Sequence, residues 1–129
     1  MNAKNESKFK AVLLVDDDRD LVGALQSALI SDDFLVDVAY DGQEASLKVK
    51  IQQYDAIVCD LMMPKLRGDE FYQQVVAQRP ELAARFLFIT GHATDDQIVR
   101  RFLSTVPARY LLKPFSVQEL IEAVRNLVS

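Results

Sequence analysis

The chain alternates short apolar segments with longer segments of helical periodicity, and this alternation occurs five times in 129 residues. Several of the short segments are apolar almost throughout, which is typical of parallel strands that are covered by helices on both faces. Connections long enough to hold a helix favour parallel pairing of the strands that they join. The sequence therefore predicts an α/β domain with one doubly wound, five-stranded parallel sheet. The predicted strands are residues 9–15, 34–40, 54–60, 85–90 and 109–113.

Each predicted strand is followed by a segment whose apolar residues recur at helical spacing. Ile51 in the segment 41–52 and Ile98 in the segment 94–105 belong to these apolar sides, and both are expected to be mostly buried. Short polar residues at the start of a helix cap its free backbone N–H groups. The residues expected to open the third, fourth and fifth helices are Asp69, Thr94 and Ser116.

Composition excludes several classes of function. The formal net charge is −4, which argues against a domain that binds nucleic acid through its overall charge. No apolar stretch approaches the roughly 18 residues of a membrane span. Residues 1–8 are polar, lack the apolar core of a signal peptide and are expected to form a flexible N-terminal arm. With one cysteine, Cys59, no internal disulfide can form, which fits a cytoplasmic protein.

Polar residues stand at the ends of four of the five predicted strands. The carboxyl ends of parallel strands meet at one edge of a sheet, and ligands of open α/β sheets bind at this edge. We therefore expect these side chains to lie together and to form the functional site. They are Asp16, Asp17 and Asp18 after the first strand, Asp60 at the end of the third, Thr90 at the end of the fourth and Lys113 at the end of the fifth.

The strand-end residues favour phosphoryl chemistry. Several carboxylates at one edge repel each other unless the site holds a proton or a cation, and oxygen ligands suit Mg²⁺. Lys113 supplies a compact positive charge that can pair with phosphoryl oxygens. Asp60 is the single carboxylate at the end of a central strand, so it is the candidate nucleophile. Asp16 and Asp17 are the candidate metal ligands, and Asp18 is expected to cap the first helix.

Four motifs together resemble those of the receiver domain of two-component response regulators, and the resemblance extends from about Lys8 to Val128. It implies a flavodoxin-like sheet of strand order 2-1-3-4-5 and a receiver domain over residues 9–129. Each motif is weak alone, but the four occur in order and each stands at a strand end. They are LLVDDD (13–18), CDLMMPKLRG (59–68), FITGHA (88–93) and YLLKPF (110–115).

The resemblance implies that Asp60 accepts a phosphoryl group from the phosphohistidine of a sensor histidine kinase or a phosphotransfer protein. Asp16 and Asp17 match the acidic pair that, with Asp60, holds Mg²⁺, with Mn²⁺ as an alternative. Met62 matches the residue whose backbone carbonyl binds the metal. The domain would thus be a phosphoacceptor with metal-dependent self-phosphorylation and autodephosphorylation, and not an enzyme that turns over an external substrate.

The resemblance also implies a two-state switch. Thr90 and Lys113 match the residues that bind the phosphoryl group, and Tyr110 matches the switch aromatic that moves inward when Thr90 turns toward it. The peptide bond between Lys113 and Pro114 is expected to be cis. The fourth helix, fifth strand and fifth helix, around residues 94–125, are the expected surface for a downstream protein partner.

Three other functions are weighed against this one. A haloacid-dehalogenase-type phosphatase also uses an Asp nucleophile and Mg²⁺, but it needs a second Asp where this chain has Met62. A flavodoxin-like cofactor binder needs a phosphate loop rich in Ser, Thr or Gly where this chain has carboxylates. A receiver that works without phosphorylation as an interaction module stays open. The chain ends near the expected end of the fifth helix, which fits a stand-alone regulator or a part of a longer regulator or hybrid kinase.

Overall fold

A computed structural model describes residues 9–63, 65–91 and 97–129. The predictions for the arm 1–8 and for Thr94 lie outside the described residues. Five strands form one parallel sheet of order β2-β1-β3-β4-β5, which confirms the predicted topology. The strands are β1 Ala11–Val15, β2 Leu35–Ala39, β3 Ala56–Asp60, β4 Phe86–Thr90 and β5 Arg109–Leu112.

Helices connect successive strands, as the periodic segments predict. A short 3₁₀ helix, Pro80–Arg85, was not predicted, because six residues are too few to display a helical period. Within the described ranges, no helix is both long and apolar enough to cross a membrane. The helices are α1 Arg19–Ser31, α2 Gly42–Ile51, α3 Gly68–Gln78, α4 Gln97–Thr105 and α5 Val117–Val128.

The sheet separates two apolar cores, which explains why the central strands are apolar throughout. Successive side chains of a strand point to opposite faces, so Leu13 packs with the cluster that includes α2, α3 and α4 residues, whereas Leu14 packs with α1 and α5. All five residues of β3 and all five of β4 are buried. The buried strands therefore fix the positions of the residues at their carboxyl ends.

Three predictions about the helices are wrong. Ile51 and Ile98 are 79% and 59% exposed; Ile51 is the last residue of α2 and Ile98 is the second residue of α4, so both lie at helix ends. The third helix begins at Gly68 and not at Asp69. Its start is fixed by backbone contacts, since the N–H of Gly68 donates to the carbonyl of Leu61 at 3.1 Å.

Two predicted helix caps are confirmed. The Asp18 carboxylate accepts a hydrogen bond from the N–H of Leu21 at 3.1 Å, at the start of α1. The Ser116 hydroxyl accepts from the N–H of Glu119 at 3.0 Å, and the Glu119 carboxylate accepts from the N–H of Ser116 at 2.8 Å. This reciprocal pair is a capping box, and it fixes the start of α5 directly after the strand-end residue Lys113.

Candidate functional site

The strand-end residues meet at one edge of the sheet. The register pairs Asp60 with Ile89 and Thr90 with Leu112, so the ends of β3, β4 and β5 are level. The N–H of Lys113 donates to the carbonyl of Thr90 at 2.9 Å and extends the last pairing by one residue. The strand order that the resemblance implies, and that the structure has, therefore brings the predicted site residues into one row.

Three carboxylates face one another in this row. Asp16 and Asp60 are buried, with 2% and 5% of their surface exposed, whereas Asp17 is exposed at the rim. One oxygen from each of Asp16, Asp17 and Asp60 lies within 4.8 Å of the other two. Oxygens at this spacing can bind a common cation. The structure thus brings together the three acidic residues that the sequence singles out.

Local hydrogen bonds orient the two buried carboxylates. Asp16 Oδ1 accepts from the N–H of Asp18 at 2.9 Å, which turns the chain away from the strand and lets Asp18 cap α1. Asp60 Oδ1 accepts from the N–H of Met62 at 3.1 Å. In both cases the second oxygen stays directed at the centre of the site. The turns after β1 and β3 therefore position the carboxylates in the same way.

Lys113 bridges the two buried carboxylates. Its Nζ lies 3.3 Å from Asp16 Oδ2 and 3.4 Å from Asp60 Oδ2. Burial acts to lower the pKa of the Lys113 ammonium, but the charges of Asp60 and Asp16 outweigh it, and the pKa is raised. The peptide bond between Lys113 and Pro114 is cis, as the resemblance implies. The ammonium therefore stays charged and lies at the centre of the site.

The positive charge of Lys113 does not balance the site. Burial, and then the charge of Asp16, raise the pKa of Asp60 from 3.8 to about 6, against the N–H of Met62 and the ammonium of Lys113. The pKa of Asp16 is also raised, mainly by burial. Two carboxylates that resist ionisation beside one ammonium indicate a site that favours an additional cation.

Of the remaining predicted residues, Thr90 and Met62 lie near Asp60, and Tyr110 lies in β5, three residues before Lys113. Thr90 is fully buried at the end of β4, beside Asp60 at the end of β3. Tyr110 lies in β5 with 48% of its surface exposed, so in this conformation its ring is on the outside. The side chain of Met62 is 39% exposed at the rim of the site.

Gly68 borders the site, where it brings the start of α3 against the end of β3. A Cβ atom at this position would lie 2.5 Å from the carbonyl oxygen of Asp60 and 2.8 Å from the Cα of Leu61. Only glycine allows the start of α3 to pack this closely against the end of β3. The glycine that closes the motif CDLMMPKLRG was the available signal, but its role depends on packing that a sequence does not display.

A comparison with protein families identifies the family to which this chain belongs. The family model described as response regulator receiver domain matches residues 12–125, which is most of the chain. This chain belongs to that family. It is a receiver domain of the kind found in the response regulators of two-component systems, and the flavodoxin-like sheet carries its carboxylates at the edge where they were predicted.

The sequence of this receiver domain is similar to those of known response regulators. It is 32% identical over 118 residues to the response regulator ArlR of Staphylococcus haemolyticus, a match that covers 91% of this chain and 52% of ArlR. The receiver domain thus spans about half the length of the curated relatives that it matches.

Two solved structures of similar fold contain magnesium. The receiver domain of a Pseudomonas aeruginosa sensor histidine kinase, with a magnesium ion coordinated in its active site cleft, is 25% identical, with a TM-score of 0.82 over 93% of this chain and 98% of that one. The response regulator TrrA of Thermotoga maritima, in complex with Mg²⁺-BeF, is 26% identical, with a TM-score of 0.77 over 92% of this chain and 99% of TrrA.

Proposed function

We propose that this receiver domain is a phosphorylation-dependent signalling switch. Asp60 accepts a phosphoryl group from the phosphohistidine of a sensor histidine kinase or a phosphotransfer protein. The observation that carries this proposal is the position of the Asp60 carboxylate, buried at the sheet edge with Asp16, Asp17 and Lys113 around it. A carboxylate held between cation ligands and an ammonium is suited to attack a phosphoryl group.

The donor set fits Mg²⁺. Ligand oxygens of an octahedral Mg²⁺ lie at about 2.1 Å from the ion, so they are roughly 3 to 4 Å apart, and the three carboxylates approach this spacing. Asp16, Asp17 and Asp60 would hold the ion together with the backbone carbonyl of Met62, and Mn²⁺ is the alternative. When bound, the ion supplies positive charge that stabilises the phosphoryl oxygens. The magnesium in the Pseudomonas and Thermotoga relatives supports this assignment.

Phosphoryl transfer exchanges one bond for another at phosphorus. An oxygen of Asp60 attacks, the O–P bond forms as the N–P bond of the phosphohistidine breaks, and the imidazole nitrogen keeps the electron pair. Lys113, 3.4 Å from Asp60 Oδ2, pairs with a phosphoryl oxygen, and the Thr90 hydroxyl donates to another. These residues stabilise the charge on the transferred group and need no proton transfer of their own.

Autodephosphorylation returns the switch to its first state. A water molecule attacks the phosphorus of the aspartyl phosphate, inorganic phosphate leaves, and the Asp60 carboxylate is restored. Gly91 has no side chain to cover the group, and among the described residues the nearest contact of a Cβ atom there would be Lys113, at 3.8 Å. An open approach for water at this position supports a phosphoryl group of limited lifetime.

The output surface is the face formed by α4, β5 and α5, here named the α4–β5–α5 face. When Thr90 turns toward the phosphoryl group, Tyr110 moves inward from its exposed position and changes this face for a downstream protein. Exposed apolar residues of the kind that protein partners cover support this surface. They are Ile98, Tyr110, Leu112 and Val117.

The test is phosphorylation by acetyl phosphate. With Mg²⁺, the wild-type chain is expected to gain the mass of one phosphoryl group, and Asp60→Asn is expected to gain none. EDTA should also prevent labelling, because the carboxylates then lack their cation. Asp33→Asn is the matched control, since Asp33 is exposed at φ 70°, a conformation that Asn accepts.

Two outcomes would contradict the proposal. Labelling of Asp60→Asn at the wild-type rate would show that another residue is the acceptor. No labelling of the wild-type chain, by acetyl phosphate or by any phosphohistidine donor, would favour the interaction module that works without phosphorylation.

A further inference from the structure

A groove between α2 and α3 lies on the sheet face opposite α1 and α5. Its walls are two pairs of residues spaced four apart, so each pair lies on one side of its helix. Buried valines, 4% and 8% exposed, form its floor. The α2–α3 groove has Ser46 and Lys50 on the α2 wall, Gln74 and Gln78 on the α3 wall, and Val49 and Val75 below.

The groove is long enough for a short helix. A cavity of about 110 Å³ adjoins a shallower depression of about 420 Å³, and Ser46 and Gln74 line both. The depression begins at Gln43, one turn before Ser46, and the cavity ends at Lys50, one turn after it. At 1.5 Å per residue, this is roughly 10 Å, or about two turns of helix.

Every charged residue that lines the groove is cationic, although the chain has a net charge of −4. Lys65 and Arg79 pair with Asp41 and Glu81, at 3.3 and 3.2 Å, and neither acid lines the groove. Lys50 is exposed and, among the described residues, has no carboxylate within ion-pair distance. The groove thus offers an ammonium that can pair with an acidic partner.

Polar and apolar groups of the groove are also available to a partner. The hydroxyl oxygen of Ser46 is buried and has no hydrogen-bond partner in the described part of the chain. A rotation about χ1 can direct this hydroxyl to the groove. Leu47, at the rim, is 63% exposed. Buried polar groups are usually hydrogen-bonded, so the Ser46 hydroxyl is available to a polar group of a partner, and Leu47 adds apolar surface beside it.

We propose that the α2–α3 groove docks an amphipathic helix of a partner protein. An acidic residue of that helix pairs with Lys50, its apolar residues cover Val49, Val75 and Leu47, and a polar residue meets Ser46. This is the helix-in-groove mode of recognition, with anchors repeated every three or four residues. The groove contains neither the strand-end carboxylates nor any residue of the α4–β5–α5 face, so the proposal does not rest on the proposed function.

The test selects helical peptides without assuming their sequence. A displayed library of peptides of about 14 residues, long enough to form a helix on a surface, is randomised on one helix face and selected on the full chain. Selected peptides are expected to carry Asp or Glu beside apolar residues. In a titration of the ¹⁵N-labelled chain, their largest shift changes should fall on Ser46, Leu47, Lys50, Gln74 and Gln78.

Two charge-reversal variants on α2 are the matched pair. Lys50→Glu is expected to weaken peptide binding by about tenfold or more, whereas Lys48→Glu, in the same last turn of α2 but outside the groove, should change it by less than about twofold. Equal weakening by both variants would overturn the proposal, because only general charge attraction would remain. Selected peptides without acidic residues, or shift changes on another face, would overturn it as well.

Ser46→Ala separates a docking role from a structural role. Removing a buried hydroxyl that has no partner, from a helix that favours Ala, should leave the melting temperature unchanged or raise it. The same variant should weaken peptide binding by about threefold or more, because one hydrogen bond to the peptide is lost. A lower melting temperature with unchanged binding would show that Ser46 serves the fold and not a partner.

Discussion

Asp16, Asp17 and Asp18 are adjacent in the chain but lie in three different environments. Asp16 is buried beside Lys113, Asp17 is exposed with one oxygen directed at the site, and the carboxylate of Asp18 caps α1. Asp17 and Asp18 are both exposed, but they differ in what surrounds them: the Asp18 carboxylate accepts from the N–H of Leu21, whereas an oxygen of Asp17 lies near those of Asp16 and Asp60. Substitution of one should change cation binding, and substitution of the other should change the stability of the helix.

This division of roles predicts opposite results for two variants. Asp17→Asn should weaken Mg²⁺ binding by about tenfold or more, equivalent to about 1.4 kcal/mol, because one charged ligand is lost. It should leave the free energy of unfolding in EDTA within about 0.5 kcal/mol of wild type, since Asp17 is exposed. Asp18→Ala should lower that free energy by about 1 kcal/mol through loss of the cap.

Titration calorimetry measures the Mg²⁺ affinity, and urea unfolding followed by circular dichroism measures the stability. Asp18→Ala is expected to bind Mg²⁺ within about twofold of wild type, because the backbone N–H that orients Asp16 is unchanged. If Asp18→Ala weakened Mg²⁺ binding as much as Asp17→Asn, the assignment of separate roles to these neighbours would be wrong.

At the scale of elements, the strands followed from the sequence pattern, and their order followed from the resemblance to receiver domains. Strands buried on both faces must be apolar throughout, so β3 and β4 are visible as continuous runs that end at Asp60 and Thr90. Parallel pairing then brings the ends of these strands to one edge, where Lys113 meets Asp16 and Asp60. This part of the site was predictable because parallel strand direction places the residues at one edge, and the strand order implied by the resemblance places them near one another.

Features that depend on how elements pack were not predictable. Periodicity identifies an apolar helix face but not how far the neighbouring elements extend over it, and for this reason Ile51 and Ile98 were wrongly expected to be buried. The position of Gly68 against β3 and the groove between α2 and α3 also arise only when helices meet their neighbours. A sequence read segment by segment contains none of these distances.

Two of the helical glycines, Gly68 and Gly23, give a prediction at this scale. A Cβ atom at Gly68 would lie 2.5 Å from the backbone oxygen of Asp60, whereas one at Gly23 would meet no atom within 4 Å from other parts of the described chain. Gly68→Ala should therefore lower the free energy of unfolding by about 1–3 kcal/mol, through displacement of α3 from β3. Gly23→Ala should raise it by about 0.5–1 kcal/mol, because alanine favours a helix.

The pair also reports on the site. Gly68→Ala should slow phosphorylation by acetyl phosphate, since the displaced backbone carries Asp60, and Gly23→Ala should leave the rate unchanged. Both properties are measured on the same samples, by urea unfolding and by mass spectrometry. A Gly68→Ala variant as stable and as reactive as wild type would contradict the close packing of α3 on the end of β3.

At the scale of the whole molecule, burial of the ionised carboxylates of the site lowers the free energy of unfolding, and burial of the two apolar cores offsets this loss. Burial and the charge of Asp16 raise the pKa of Asp60 to about 6, and burial, with a smaller effect of Asp17, raises the pKa of Asp16. The pair titrates as a unit, because each carboxylate responds to the charge of the other. Without a metal ion, folding at neutral pH therefore places two carboxylates where their charged forms are unfavourable.

This arrangement predicts how stability depends on pH in EDTA. A carboxyl group whose pKa is higher in the folded than in the unfolded chain stabilises the fold below its unfolded pKa, and this contribution is lost as the pH rises through the folded value. For Asp60, the loss falls between about pH 4 and pH 6. A shift of about two pKa units corresponds to at most about 3 kcal/mol.

Asp60→Asn isolates this contribution, because Asp32, Asp41 and Glu81, whose lowered pKa values act in the opposite direction, are present in both proteins. In EDTA near pH 7.5, the variant should be more stable than wild type by about 1–3 kcal/mol, and the difference should shrink toward pH 4 as Asp60 takes up its proton. Mg²⁺ should reverse the order, since it binds three carboxylates in the wild-type chain and only Asp16 and Asp17 in the variant, and so stabilises the wild-type chain more. Urea unfolding at three pH values, with EDTA and with Mg²⁺, measures all of these differences. A difference between the two proteins that did not vary with pH would show that Asp60 is not an unfavourable charge in the metal-free fold.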